Sequence, residues 1–133
     1  MTAFIDASAL AAILLDEGDA AELYARMQGH SRCITSPLAV WEAVRAVSRA
    51  RDVTVDEAES AVERLLQVAA IEVSSVDPQL RHLAIEAHAR FGKGRHPAAL
   101  NFGDCFAYAC ARHADLPLLY KGDDFSRTDI EPA

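Results

Sequence analysis

Four short apolar runs recur along this chain with amphipathic stretches between them, and that alternation limits the folds open to it more than any other feature. The runs are TAFI (residues 2–5), CITS (33–36), AIEVSSV (70–76) and PLLY (117–120). Strands that are short and apolar on both faces belong to parallel sheets covered by helices above and below. The expected fold class is therefore α/β, with three α/β/α layers around a central, mainly parallel sheet of four to five strands. DIE, at residues 129–131, is the candidate for the fifth.

Helix boundaries are marked by local chemistry. Asp6 ends the first run, and ASALAAILL continues at helical spacing to the acidic turn DEGD. Asp19 with Glu22 has the form of a capping box opening a second helix to about Gly29. Ser36 followed by Pro37 is an N-cap with proline at the first helical position, and predicts a helix to about Arg51. Thr54 to Glu57 is another capping box, with a helix to about Val68. Asp77 and Pro78 repeat the cap-plus-proline signal, and that helix is expected to stop at FGKG with Gly92 and Gly94 in left-handed conformations. Asn101 caps a last helix to about His113. A length of 133 residues suits a single domain, here residues 1–133, and no repeat or linker divides it.

Several function classes drop out. The stretch MTAFIDASALAAILL lacks a basic leader region, and its apolar run is too short to span a bilayer, so a soluble, cytoplasmic protein without membrane association is expected. The three cysteines form no CxxC pair, which fits free thiols in a reducing compartment. No histidine spacing suits zinc. A net charge of −7 argues against broad adhesion to nucleic acid but leaves room for a small basic patch. A hard cation held by oxygen ligands remains open.

The carboxylates point to such a cation. Right-handed crossovers bring every strand's C-terminal end to one edge of a parallel sheet, and ligands bind in the crevice there. Asp6 closes the first strand and Asp123 and Asp124 follow the fourth; Glu42 and Asp104 lie in early turns of helices that begin at the same edge. Acids gathered this way repel one another unless a cation such as Mg2+ or Mn2+ compensates. That ion can activate a water and stabilise an in-line displacement at phosphorus. Each acid also has an ordinary role: Asp6 as a helix N-cap, Asp104 as a helix-start acid, Glu42 as a partner of Arg45 on a solvated stripe with Arg49, and Asp123 and Asp124 as turn residues. Their common edge favours the cluster.

IDASAL at the start, Glu42 in a helix entered through TSPLAVWEA, GDCFAYACA around Asp104 and LLYKGDDF near the end resemble the PIN-domain ribonucleases, and more closely the VapC toxins of type II toxin-antitoxin systems. The resemblance covers nearly the whole chain, and GKGRHPAALNFGDC is typical of one VapC subgroup. It implies a PIN-like fold and an Mg2+- or Mn2+-dependent endoribonuclease, a homodimer silenced by a cognate VapB-type antitoxin. By position, the family's acids fall on Asp6, Glu42, Asp104 and either Asp123 or Asp124, with Asp123 preferred. Ser8, in the Asp-x-Ser pattern, supports the site through its hydroxyl or caps the first helix. Asn101 takes over capping and so frees the Asp104 carboxylate.

RFGKGRH, residues 90–96, concentrates positive charge in an acidic protein. Lys93, Arg95 and His96, with Lys121, are the candidates for RNA phosphate contacts. The alternatives are a basic helix C-terminus and a lone solvated lysine. Trp41 is assigned to the core or a dimer interface rather than to base stacking. Helix faces in residues 8–29 and 37–67 suit an antitoxin helix docked in a groove. Competing classes fit less well: a haloacid-dehalogenase-type phosphatase needs a second aspartate where Ser8 stands, and a signalling receiver needs an acidic pair after the first strand. A partner-binding relative without activity is the remaining alternative.

Overall fold

The computed structural model describes residues Met1–Ala133. In chain order it forms β1 (Thr2–Ile5), α1 (Ala7–Leu14), α2 (Ala20–Gln28), β2 (Arg32–Thr35), α3 (Pro37–Arg51), α4 (Val55–Val68), β3 (Ile71–Val73), α5 (Leu80–Phe91), α6 (Phe102–His113) and β4 (Leu118–Leu119), then a 3-10 turn at Phe125–Arg127. The strands form one sheet in the order β3-β2-β1-β4. Every pairing is parallel.

Side-chain alternation along the strands produces the layers. Ala3, Ile5, Cys33, Ile71 and Leu119 face a core with Leu10, Leu23, Met27, Val62 and Leu66 of α1, α2 and α4. Phe4 and Leu118, one position out of phase, face the opposite core with Leu80, Ala84, Ala87, Phe91 and Tyr108 of α5 and α6. The connections from β1 to β2 and from β2 to β3 thus run over one face, and the return to β4 over the other. The order in which strands are added reverses between β1 and β4, which run parallel. That pair is the switch point of the sheet, where the two crossovers diverge and a crevice opens at the C-terminal ends.

Local capping explains most boundaries. The Ser36 hydroxyl accepts from Ala39 N–H at 3.1 Å with Pro37 opening α3, and the Thr54 hydroxyl accepts from Glu57 N–H at 3.1 Å at the head of α4. Three expectations fail for nonlocal or steric reasons. The Asp19 carboxylate caps nothing and instead stands 3.4 Å from the Lys121 ammonium, a stronger partner than a backbone N–H. Asp77 accepts from Gln79 N–H at 2.8 Å in a turn, so α5 begins at Leu80 rather than at Pro78. The fifth strand does not form. Around DIE there is only a bridge, Leu118 to Pro132, with Leu118 N–H donating to Glu131 O at 2.8 Å and Ala133 N–H to Leu118 O at 2.9 Å.

The glycines after α5 also divide their roles differently. Gly94 is left-handed, with φ +84°, but Gly92 is extended at φ −66°, ψ 156°. What Gly92 supplies is clearance: a Cβ there would lie 2.3 Å from the His88 carbonyl oxygen. This closeness lets Leu100 N–H donate to Phe91 O and Lys93 N–H to Leu100 O, both at 2.9 Å, and so delivers the chain to the start of α6. Gly92→Ala is expected to destabilise the fold by about 1–3 kcal/mol, as overpacking does. Urea unfolding checks this, and an unchanged midpoint would refute the clearance role.

Candidate functional site

Asp6 leaves β1 at the switch point and is only 4% exposed. Its Oδ2 accepts from Ser8 N–H at 3.0 Å and from the Ser8 hydroxyl at 2.6 Å. The Ser8 oxygen in turn accepts from Lys121 N–H at 2.9 Å, while Asp6 N–H donates to Leu119 O at 2.9 Å. Asp6 is therefore both the N-cap of α1 and a cleft residue, tied across to the end of β4. Ser8 supports the carboxylate rather than capping the helix itself. Burial raises the Asp6 pKa, the two Ser8 hydrogen bonds oppose that rise, and the charge of Asp124 adds to it.

Glu42, in the second turn of α3, is pushed up to about 7 by burial and then by the charges of Asp6 and Asp104. These acids, and not Arg45, are its electrostatic neighbours. The carboxylate lies so close to the α6 backbone that a Cβ on Gly103 would fall 2.1 Å from Glu42 Oε2. Asp104 is pushed up to about 6, first by burial, with the Asn101 N–H bond opposing and the charges of Asp6 and Asp124 adding. The expectation that Asn101 frees Asp104 from capping is half right. Asn101 Oδ1 accepts from Asp104 N–H at 2.9 Å, but Asp104 Oδ2 also accepts from Asn101 N–H at 3.1 Å, completing a reciprocal capping box. One carboxylate oxygen is committed and the other is not.

Asp123 and Asp124 are both exposed, in the loop after β4. It is Asp124 whose charge acts on Asp6 and Asp104. Asp123 engages through its carbonyl, which accepts from the Ser126 hydroxyl at 2.7 Å.

Asp6, Ser8, Glu42, Asn101 and Asp104 line a cleft of about 650 Å³ together with Arg45 and Arg49, while Asp123 and Asp124 lie outside its lining. The two arginines occupy the α3 face that carries Glu42, three and seven residues on, a spacing that is visible in the sequence but reads there as a solvated stripe. The donor set suits a hard cation: all oxygen, with pKa values raised first by burial and further by neighbouring acids. No three acidic, histidine or cysteine side chains stand close enough to form a ready-made cage.

The basic candidates separate. Lys121 is not a lone solvated lysine: its ammonium pairs with Glu17 at 2.8 Å and Asp19 at 3.4 Å. His96 Nδ1 accepts from Ala98 N–H at 3.0 Å, and its ring meets Phe91 edge-on, which makes it a loop-forming residue. Arg90 is held by Asp129 at 3.2 Å. Lys93 and Arg95 remain exposed, and Lys93 lines a groove with Asn101 and Phe102. Trp41 is 65% exposed and thus outside the core; it borders the acid cleft.

The PIN domain family profile matches residues 3–131. A VapC ribonuclease of Rhizobium meliloti is 39% identical, the alignment covering 96% of this chain and 98% of the relative. Ribonuclease VapC30 of Mycobacterium tuberculosis is 37% identical over 95% of this chain and 94% of its own. Among solved structures, Mycobacterium tuberculosis VapC20, a sarcin-ricin loop cleaving toxin, superposes with a TM-score of 0.77, covering 100% of this chain and 98% of that one at 20% identity, a likeness of fold. Matched end to end by the profile and by relatives of this kind, and carrying its acids at the switch point of a parallel sheet, the chain belongs to the PIN-domain family and, within it, to the VapC ribonucleases.

Proposed function

We propose that this protein, a single PIN domain over residues 1–133, is the toxin of a VapBC pair and cleaves RNA phosphodiester bonds by hydrolysis at the acid cleft. The observation that carries the reading is the convergence of Asp6, Glu42 and Asp104, each raised in pKa partly by acid neighbours, in a chain with whole-length VapC ribonuclease relatives. Asp6 and Asp104 would be the main ligands of a Mg2+ or Mn2+ ion, with Glu42 and Asp124 completing the shell; Asp124 replaces the preferred Asp123 because its charge reaches the cluster. When bound, such an ion supplies a more acidic water and stabilises charge on the scissile phosphate. The chain's own residues prepare that site. Ser8 fixes one oxygen of Asp6, Asn101 fixes one oxygen of Asp104, and each leaves the second oxygen uncommitted. Glu42, pressed against Gly103, orients the attacking water.

Partners follow from the same reading. Arg45 and Arg49 in the cleft, with Lys93 and Arg95 on the neighbouring loop, supply phosphate contacts. The groove between α3 and α4, lined by Val40, Val44 and Val55, supports docking of a VapB-type antitoxin helix, and the protein acts in the cytoplasm as a homodimer.

Three outcomes are expected. Asp6→Asn and Asp104→Asn should fold normally but lose metal-dependent RNA cleavage by roughly 100-fold or more. Retained cleavage by either purified variant would sink the assignment, and absence of any cut in total RNA with magnesium or manganese would favour a partner-binding module. In a paired comparison, Asp124→Asn should lower the cleavage rate by about tenfold or more while Asp123→Asn stays within about threefold; the reverse order would restore Asp123 as the fourth acid.

The third outcome concerns pH. Glu42 has an ordinary pKa of 4.5 and about 7 in the fold, so the folded state binds its proton more tightly than the unfolded state. The stability this contributes is full below 4.5 and lost as pH rises through about 7. In chelator, the melting temperature should therefore fall across that window. Saturating Mg2+ or Mn2+ should flatten the fall, and so should Glu42→Gln. A chelated protein whose melting temperature is insensitive to pH there would contradict the acid cluster.

A further inference from the structure

A second cavity, of about 440 Å³, opens beside the acid cleft between the first turns of α3 and α6, lined by Leu38, Trp41, Glu42, Asn101, Phe102 and Gly103. Its walls are of the opposite character to the cleft's. Trp41 is 65% and Phe102 72% exposed, so two large aromatic side chains stand open to water where burial would be favourable. Phe102 is braced in place, its ring packed on Phe106 with centroids 5.0 Å apart. The two cavities share Trp41, Glu42 and Asn101, so an occupant of the apolar one touches the same glutamate that borders the acids.

A nucleotide carries its aromatic base one ribose away from its phosphate. A scissile phosphate in the acid cleft would therefore bring an adjoining base to this aromatic wall, because the two cavities meet at Trp41, Glu42 and Asn101. We infer that Trp41 and Phe102 form a base-stacking pocket that seats a nucleobase next to the scissile phosphate, which makes them specificity-determining residues for RNA cleavage. The inference rests on the ribonuclease reading above.

Other features of the pocket fit this occupant. The Asn101 side-chain oxygen is taken by the capping box, which leaves its NH2 to donate to a base edge. Arg45 and Arg49 border the cleft on one side, and Lys93 borders the groove beyond Phe102 on the other, so positive charge flanks the pocket along a path for phosphates. A second copy of the chain is the competing occupant. Glu42 at the wall disfavours it, because the centre of a protein interface is depleted in charge.

Trp41 is the only tryptophan, so its fluorescence reports on the pocket directly. The test uses the Asp104→Asn protein, expected to lose cutting, and short single-stranded RNA homopolymers against an abasic ribose-phosphate of equal length. Base-bearing RNA should quench the emission and abasic strand should not. Phe102→Ala should weaken binding by about tenfold or more, with Phe102→Tyr restoring it. In the active protein, Phe102→Ala should also relax the nucleotide preference at mapped cuts.

Equal quenching by the abasic strand, or unchanged affinity and preference in Phe102→Ala, would overturn the inference. So would light scattering that shows Trp41→Ala or Phe102→Ala turning a dimer into a monomer with binding lost in step, which would assign the surface to a second copy. RNA cleavage with emission indifferent to bases removes this inference alone; failure of the unsubstituted protein to cut RNA removes the ribonuclease reading beneath it.

Discussion

The constraint on which the structure turns is the burial of Asp6, Glu42 and Asp104 in one place, which raises the pKa of each more than their mutual repulsion does. Asp6 is almost fully buried, and its pKa rises despite two hydrogen bonds from Ser8. Such a cluster destabilises the fold when charged, because desolvation and like charges act in the same direction. The surroundings offset this with groups whose positions are already fixed by the fold. Asp6 caps α1 and Asp104 lies in the first turn of α6, so two helix N-termini direct partial positive charge at the acids. Their backbone N–H groups are committed to helix capping anyway, and the Ser8 hydroxyl adds a side-chain donor to Asp6.

Topology then determines which elements can contribute. Because β1 lies between β2 and β4 and the crossovers leave it over opposite faces, the edge next to Asp6 is the one place where both layers of helices begin. α3 reaches it from one layer and α6 from the other. The close contact of Gly103 with the Glu42 carboxylate is where those layers meet. Lys121 closes the remaining side: its backbone holds Ser8 while its ammonium holds Glu17 and Asp19, tying the loop that carries Asp124 to the turn after α1.

What was legible in the sequence was what is local. Ser36 with Pro37, Thr54 with Glu57 and Asn101 with Asp104 mark helix starts through atoms a few residues apart, and the four apolar runs read as strands because they are short and bounded by such signals, although the edge strand β3 leaves Glu72 and Val73 exposed. The edge at which the acids gather followed from handedness alone. Illegible were the choices made by residues distant in the chain. Asp19 has the spacing of a capping box and loses that role to a lysine more than a hundred residues away. DIE has strand-like composition, but at Asp129 the chain is taken by Tyr108, whose hydroxyl donates at 2.6 Å, and by Arg90 at 3.2 Å, so only a bridge forms beyond it. Between Asp123 and Asp124, adjacent in the chain, no periodicity decides. The fold separates them in that the charge of Asp124, and not that of Asp123, is among those raising the pKa of Asp6 and Asp104.

Net charge sets the last constraint. At −7, the molecule repels a polyanion over most of its surface, and the basic residues that ordinarily draw nucleic acid are few and partly committed: Arg90 to Asp129, Lys121 to Glu17. Phosphate contacts alone would therefore give an affinity that decays steeply with salt and carries no sequence information. Stacking lacks the first weakness, since a base meeting an aromatic ring is an uncharged interaction largely indifferent to ionic strength, and it adds a modest preference among bases. An acidic enzyme for RNA thus gains most from aromatic side chains left exposed beside its acids. Trp41 and Phe102 are in that position, and their exposure is otherwise a cost to solubility.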